Sequence, residues 1–266
     1  MVDPVEVGEY TPDCYDDDMS MEVFPVVHVV DEEQAAQQTQ VAIDSGADGV
    51  FLIEKNRKEP PERLTAIFRR VADKFPNTFV GVNYLSIDHP VDVFEYVLDQ
   101  YQKGEIPRLP DGIWVGNTTR ELARKSEFTS VELFRHQHPE LNRIRYLGGI
   151  AFKYNPLYTD DPESAAEQVE AFSYDMDVVV TSGPGTGKAP SKEKITAMKR
   201  AAGEMPLAIA SGVNETNIDD YDNVADMILV STAVETEPYS GIFDTEKLTH
   251  LIEKAHNVAP GLPNQE

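Results

Sequence analysis

The chain is short of cysteine, tryptophan and positive charge: its 266 residues include 1 Cys, 1 Trp and 23 Lys plus Arg, set against 47 Asp plus Glu. A single cysteine, Cys14, excludes an intrachain disulfide and any cysteine-built metal site. Its neighbours Asp13, Asp16, Asp17 and Asp18 disfavour the thiolate, so a reactive-thiol role is not expected. The net charge of -24 repels a phosphate backbone and argues against nucleic acid as a partner. No apolar run approaches the roughly 20 residues of a membrane span. Met1 to Met21 carries several carboxylates and no lysine or arginine, unlike a signal or transit peptide, so the cytoplasm is the expected location. His136 and His138 lack an acidic partner at ligand spacing, while His250 and His256 fall on the last helical segment. Neither a metal nor a cofactor is expected.

What the chain does have is alternation. Short apolar, β-branched runs predict strands at 23–30, 48–54, 78–85, 112–117, 143–154, 177–183, 206–212 and 225–232. Between and after them lie helical segments at 31–45, 60–75, 91–103, 162–174, 191–203 and 245–257. Starts are marked by Asp31, the Pro60-Pro61 pair and Ser191. A helical and irregular stretch running to about His138 and a short helix near 215–221 complete eight strand-helix units. Sustained β-α alternation predicts a parallel sheet, and eight units predict closure into a single (β/α)8 barrel rather than an open doubly wound sheet. The barrel is expected over 23–257, between an acidic N-terminal extension (1–22) and a C-terminal tail (258–266).

In such a barrel the chemistry belongs to the loops after the strands. There the apolar runs turn polar, at His28, Glu54, Asn83, Asn117, Lys153, Ser182, Ser211, Ser231 and Thr232. The most specific stretch is Thr181-Ser182-Gly183-Pro184-Gly185-Thr186-Gly187-Lys188-Ala189-Pro190-Ser191, a glycine-rich loop leading into a helix start, as suits close approach to an anion. It is one residue too short between Gly183 and Gly187 for a Walker A loop, and Ala189 follows the lysine, which argues against ATP hydrolysis. Ser211-Gly212-Val213 and Ser231-Thr232-Ala233 follow strands seven and eight, where barrels commonly bind phosphate through backbone N–H groups. Lys153 is a candidate partner for a phosphate or carboxylate, or less readily a Schiff-base lysine. Glu54 is the general-base candidate, Asn83 and Asn117 are candidates to orient a ligand, and His28 can serve as acid, base or structural residue.

These motifs resemble the BtpA/SgcQ-like family of TIM barrels over roughly residues 23–255. The family's T-G-P-A-T-G-x-x-P loop corresponds to Thr181 through Pro190. Gly212-Val213 with Asn217, Gly81-Val82-Asn83, Glu54 with Asn56, and Lys153 followed by Pro156-Leu157 also match. Three places depart from the family pattern: Val29-Val30-Asp31 after His28, Tyr154 where a histidine commonly stands, and Trp114-Val115-Gly116-Asn117 in place of V-N-V-H-x-G. The chain thus resembles a divergent member. The resemblance implies a phosphate site at the barrel mouth, and in part of the family a link to photosystem I biogenesis. Some members carry a phosphoribosyltransferase label, yet no acidic pair followed by a pyrophosphate loop of that type occurs here.

Two functions are therefore expected in competition. One is an enzyme holding a phosphorylated small molecule of the sugar- or ribosyl-phosphate class for isomerase, lyase or glycosyl- or phosphoribosyl-transfer chemistry. The other is an assembly or stability factor with a vestigial or sensory pocket, which would need exposed apolar residues on its outer helices. Phe94, Tyr96 and Tyr101 are candidates for core or for a homo-oligomer interface.

Overall fold

The computed structural model describes residues 20–118 and 130–257. Cys14, most of the acidic extension, the C-terminal tail and residues 119–129 lie outside the described residues. The chain is a closed barrel of eight parallel strands: β1 (Glu22–His28), β2 (Val50–Ile53), β3 (Val80–Asn83), β4 (Gly112–Val115), β5 (Arg145–Gly149), β6 (Val178–Thr181), β7 (Leu207–Ala210) and β8 (Met227–Val230). Each strand pairs with the next, and β8 closes on β1 through pairs such as Val23 with Ile228. Among the described residues seven helices cover the outside: α1 (Glu32–Asp44), α2 (Pro61–Lys74), α3 (Pro90–Gln102), α4 (Val131–Gln137), α5 (Pro162–Phe172), α6 (Lys192–Ala202) and α7 (Thr245–His256). Side chains predicted as caps do cap: Asp31 accepts from the Gln34 amide and Ser191 from the Lys194 amide.

Two elements differ from the sequence expectation. The helix expected near 215–221 is only a 3-10 turn at Ile218–Tyr221. Asn217 accepts from the Asn214 amide (2.8 Å) and Asn214 from the Thr216 amide (2.9 Å), local bonds that compete with helix formation. The fifth strand stops at Gly149 although the apolar run continues to Phe152, because Ala151 (φ 46°) and Tyr154 (φ 65°) turn the chain through the left-handed region.

Strand residues alternate between two cores. Phe24 and Val26, Phe51 and Ile53, Trp114, Leu147, Val178 and Val180, and Met227 and Leu229 fill the barrel interior. The intervening residues, among them Val23, Val50, Leu52, Ile113 and Val179, pack outward against helical Leu64, Phe68, Phe94, Ile195 and Leu248. Phe24, Phe51 and Trp114 stack edge to face in the interior, with centroids 5.7 and 6.2 Å apart, and Trp114 meets Phe152 at 6.0 Å. Gly81 makes room for this stack, since a Cβ there would stand 2.3 Å from the Phe51 ring. The interior is thus plugged, and a cavity opens at its C-terminal end.

The opposite end is braced four times in the same way. Asp48, Asp111, Asp177 and Asp226 stand just before the even strands. Each accepts, at 2.7–2.8 Å, the amide at the start of the preceding odd strand: Val23, Val80, Tyr146 and Leu207. Each also meets a cation or histidine: His256 (3.1 Å), Arg108 (2.5 Å), Arg135 (2.9 Å) and Lys199 (2.8 Å) respectively.

Candidate active site at the barrel mouth

At the C-terminal ends of the strands lies a cavity of about 520 Å³. Its floor is apolar, with Trp114 and Phe152 the broadest side chains, and its rim is polar. The period-two alternation of a strand decides which polar residues reach it. His28 follows Phe24 and Val26 on the inward face, Lys55 follows Phe51 and Ile53, and Ser231 follows Met227 and Leu229; all three line the cavity. Asn83, Asn117, Lys153, Thr186, Ser211, Gly212, Val213, Thr232 and Ala233 line it as well.

Glu54 falls on the other face of β2 and is not part of the cavity wall. It is buried, and its two carboxylate oxygens accept the Ser86 amide (2.7 Å) and hydroxyl (2.9 Å), which ties the loop after β2 to the loop after β3. Burial raises its pKa, opposed by the bonds from Ser86.

The loop after β6 is divided in its work. Thr186 alone of its predicted ligand residues borders the cavity; Ser182, Gly183, Gly185, Gly187 and Lys188 do not. Ser182 is fully buried, and its hydroxyl accepts the Lys153 amide at 2.9 Å. The Tyr154 phenol oxygen accepts the Thr186 amide at 3.2 Å, and the Ser211 hydroxyl accepts the Gly187 amide at 3.0 Å. Asn155 donates to the Gly116 carbonyl at 2.8 Å. The mouth loops after β4, β5, β6 and β7 are thereby clasped into one rim.

Lys194 on α6 fastens the same rim from below, and no sequence signal singled it out. Its side chain is fully buried, with Nζ donating to the carbonyls of Ser182 (2.8 Å) and Ala151 (2.9 Å) and lying 4.8 Å from the Tyr158 ring centre. Burial lowers its pKa to about 8, against the attraction of Asp160.

Four backbone N–H groups on the facing loops after β7 and β8, those of Gly212, Val213, Thr232 and Ala233, donate to no group among the described residues. Gly212 (φ 83°) and the preceding Ser211 (φ 103°) turn the first loop through the left-handed region, while a 3-10 turn at Thr232–Val234 forms the second.

A model of the BtpA family matches residues 110–257, more than half of the chain. The chain belongs to the BtpA family. No curated protein matches the sequence of this BtpA-family chain. Among solved structures it is similar to phosphoribosylanthranilate isomerase from Thermotoga maritima (16% identity, 88% of this chain and 98% of that one, TM-score 0.58). It is also similar to (S)-3-O-geranylgeranylglyceryl phosphate synthase from Thermoplasma acidophilum in complex with its substrate sn-glycerol-1-phosphate (12%, 90% and 94%, TM-score 0.58). A third is tryptophan synthase from M. tuberculosis (13%, 91% and 94%, TM-score 0.57). At these identities the likeness is one of fold.

The electrostatics of the BtpA-family mouth run against those of the molecule. Lys55, Arg57, Lys153 and His28 line it, and the one carboxylate on its wall among the described residues, Asp88, is paired with Arg57. Burial lowers the pKa of Lys153, whose ammonium lies 5.8 Å from the Phe152 ring centre. Burial likewise lowers that of His28; Glu235 opposes this, and Lys153 and Lys55 reinforce it. Lys55, Arg57 and Asp88 on the wall, and Glu235 behind it, are absent from the polar strand-end residues that the sequence points to. Counting alternate residues along β2 finds Lys55. Glu235 is buried behind Ser231 only because of the 3-10 turn between them.

Among the described residues, no helix is long and apolar enough to cross a membrane. No group of three or more His, Cys, Asp or Glu that could hold a metal occurs among them either.

Proposed function

We propose that this BtpA-family barrel is an enzyme that binds a phosphorylated small molecule of the sugar- or ribosyl-phosphate class at its mouth. The observation that carries the reading is the set of four undonated N–H groups of Gly212, Val213, Thr232 and Ala233, beside an ammonium on Lys153 that has no carboxylate partner among the described residues. Backbone N–H groups gathered on turns are a ready anion site, and a lysine ammonium adds point-charge attraction. The sn-glycerol-1-phosphate named for the geranylgeranylglyceryl phosphate synthase structure of this fold supports a phosphorylated ligand. His28 would transfer the proton in an isomerase- or lyase-type step, with Asn83 and Asn117 orienting the ligand and Glu54 bracing the rim.

The assembly-factor reading draws less support. Of the large exposed apolar side chains among the described residues, Val30, Tyr154, Leu157, Tyr239 and Ile242 sit on mouth loops, leaving Tyr101, Leu133 and Tyr174 on outer elements. Thermal unfolding with inorganic phosphate, ribose 5-phosphate and other sugar phosphates tests the proposal. At a ligand concentration of 100 Kd the stabilisation is about 2.7 kcal/mol. At about 2–4 °C per kcal/mol that is a rise in Tm of about 5–10 °C. No rise with any phosphate ester, in a protein that unfolds cooperatively, refutes it.

A further inference from the structure

His28 is held from behind by a residue outside the cavity wall. Glu235 ends the 3-10 turn after β8 and is 2% exposed. Its Oε1 accepts a 2.8 Å hydrogen bond from the Ser231 hydroxyl, while its Oε2 is buried with no hydrogen-bond partner among the described residues. The same hydroxyl oxygen lies 3.1 Å from Nδ1 of His28. A serine hydroxyl owns one hydrogen, and a carboxylate can only accept. That hydrogen is committed to Glu235, so toward His28 the Ser231 oxygen is an acceptor. Nδ1 must then carry a proton whether the ring is neutral or charged.

We propose that Glu235, acting through Ser231, is the positioning residue that locks His28 in its Nδ1–H tautomer and leaves Nε2 as the nitrogen that exchanges protons with the cavity. A buried carboxylate with one oxygen unpaired is costly and is relieved by a nearby positive charge. Protonation of His28 at Nε2 supplies that charge one hydroxyl away. The other charged groups acting on the ring, Lys153 and Lys55, oppose it, and burial opposes it further. The resting imidazole is therefore neutral with a bare Nε2, as a base requires.

The chemical consequence rests on the reading of the mouth as a phosphate site. A proton leaves a carbon of the ligand for Nε2, the C–H bond breaks as the N–H bond forms, and the electron pair stays on the ligand. An imidazole is strong enough for this where the carbon is flanked by a carbonyl, whose oxygen takes the charge beside the Lys153 ammonium. The ligand class narrows to phosphorylated carbonyl compounds with a hydrogen on the carbon beside the carbonyl.

The test needs no ligand. Two-bond 1H–15N spectra of the full chain labelled at histidine report the tautomer, with the His28 signals identified by their loss in His28→Gln. At pH 8 the wild-type ring is expected as Nδ1–H. Ser231→Ala shifts it toward the Nε2–H form, and Ser231→Thr, which keeps the hydroxyl, restores Nδ1–H. Glu235→Gln lowers the His28 titration midpoint by about one pH unit, the lower end of what a close opposite charge contributes. An Nε2–H wild-type ring, an Nδ1–H ring that persists in Ser231→Ala, or an unmoved midpoint in Glu235→Gln overturns the proposal. Absence of any thermal shift with phosphate esters would instead remove the phosphate reading and leave the tautomer to its own spectrum.

Discussion

Replacing Gly212 by alanine tests whether the loops after β6 and β7 are held together by backbone contact. A Cβ at this position would stand 2.1 Å from the Ala189 nitrogen and 2.3 Å from the Lys188 carbonyl carbon. Both are backbone atoms, so neither moves aside as a flexible side chain would. The residue also has φ 83°, where a side chain costs about 1–2 kcal/mol. Forced overlap in a packed site adds about 1–3 kcal/mol. The sum, about 2–5 kcal/mol, lowers Tm by about 4–20 °C at 2–4 °C per kcal/mol. Gly185→Ala is the internal control. It lies in the loop after β6 that Gly212 packs against, its φ is not positive, and its new Cβ would meet only the Tyr154 hydroxyl at 3.8 Å and the Lys188 side chain at 4.0 Å. Its expected effect is within about 0.5 kcal/mol. Circular dichroism melts of the two variants beside the parent decide the matter. Equal melting temperatures for Gly212→Ala and Gly185→Ala would refute the reasoning, because geometry alone separates them.

Three other perturbations have definite outcomes. Lys153→Met should leave the melting temperature of the free protein near that of the parent and abolish the rise produced by phosphate esters, read in the same thermal assay. Asp177→Ala removes the acceptor for the Tyr146 amide and both contacts with Arg135. Urea denaturation should find it less stable by about 1–3 kcal/mol, the cost of leaving a buried donor unpaired. Lys194 has a folded pKa of about 8, below its ordinary value of 10.5. Between those values the unfolded chain binds more protons, so stability rises with pH from about 8 to about 10.5 and the penalty for the buried charge is fully present below pH 8. The difference in unfolding free energy between the parent and Lys194→Met should therefore change by about 3 kcal/mol over that window, at 1.36 kcal/mol per pH unit. A flat difference contradicts it.

The barrel was legible because its strands are buried on both faces and read as unbroken apolar runs, while cap residues such as Asp31 and Ser191 mark the helix starts. Where the fifth run was over-extended, Ile150, Ala151 and Phe152 remained buried and apolar although the backbone had left the strand. Hydropathy reports burial, and burial continues past the last ladder bond. At the mouth, the strand-end polar residues His28, Asn83, Lys153, Ser211 and Ser231 were readable as a set and do come together. Glu54 was separated from them by a single step of parity, which also hid Lys55 beside it. The glycines show a different limit. Composition predicts that Gly183 permits close approach, but a Cβ there would meet Lys188 and Ala189, so the partner approached is the protein's own chain. Glu235 and Lys194 were invisible for a third reason: each acts on loops distant in sequence, through a turn or a helix face set by tertiary packing.

The two ends of the barrel treat charge in opposite ways. At the base, Asp48, Asp111, Asp177 and Asp226 each take an amide and a basic partner, so His256, Arg108, Arg135 and Lys199 are spent on structure. At the mouth, Lys55 and Lys153 have no carboxylate partner among the described residues, though the chain carries 47 Asp and Glu. Leaving cations unpaired in a partly desolvated cavity costs free energy, as the lowered pKa of Lys153 records. In a chain of net charge -24, local carboxylates would have been the simplest compensation. Among the described residues none stands on the wall beside Lys153, which leaves an incoming anion to supply the countercharge. Binding such an anion should therefore raise the Lys153 pKa toward its ordinary value. Proton uptake measured by calorimetry in two buffers of different ionisation enthalpy, above neutral pH, should accompany phosphate binding in the parent and be lost in Lys153→Met.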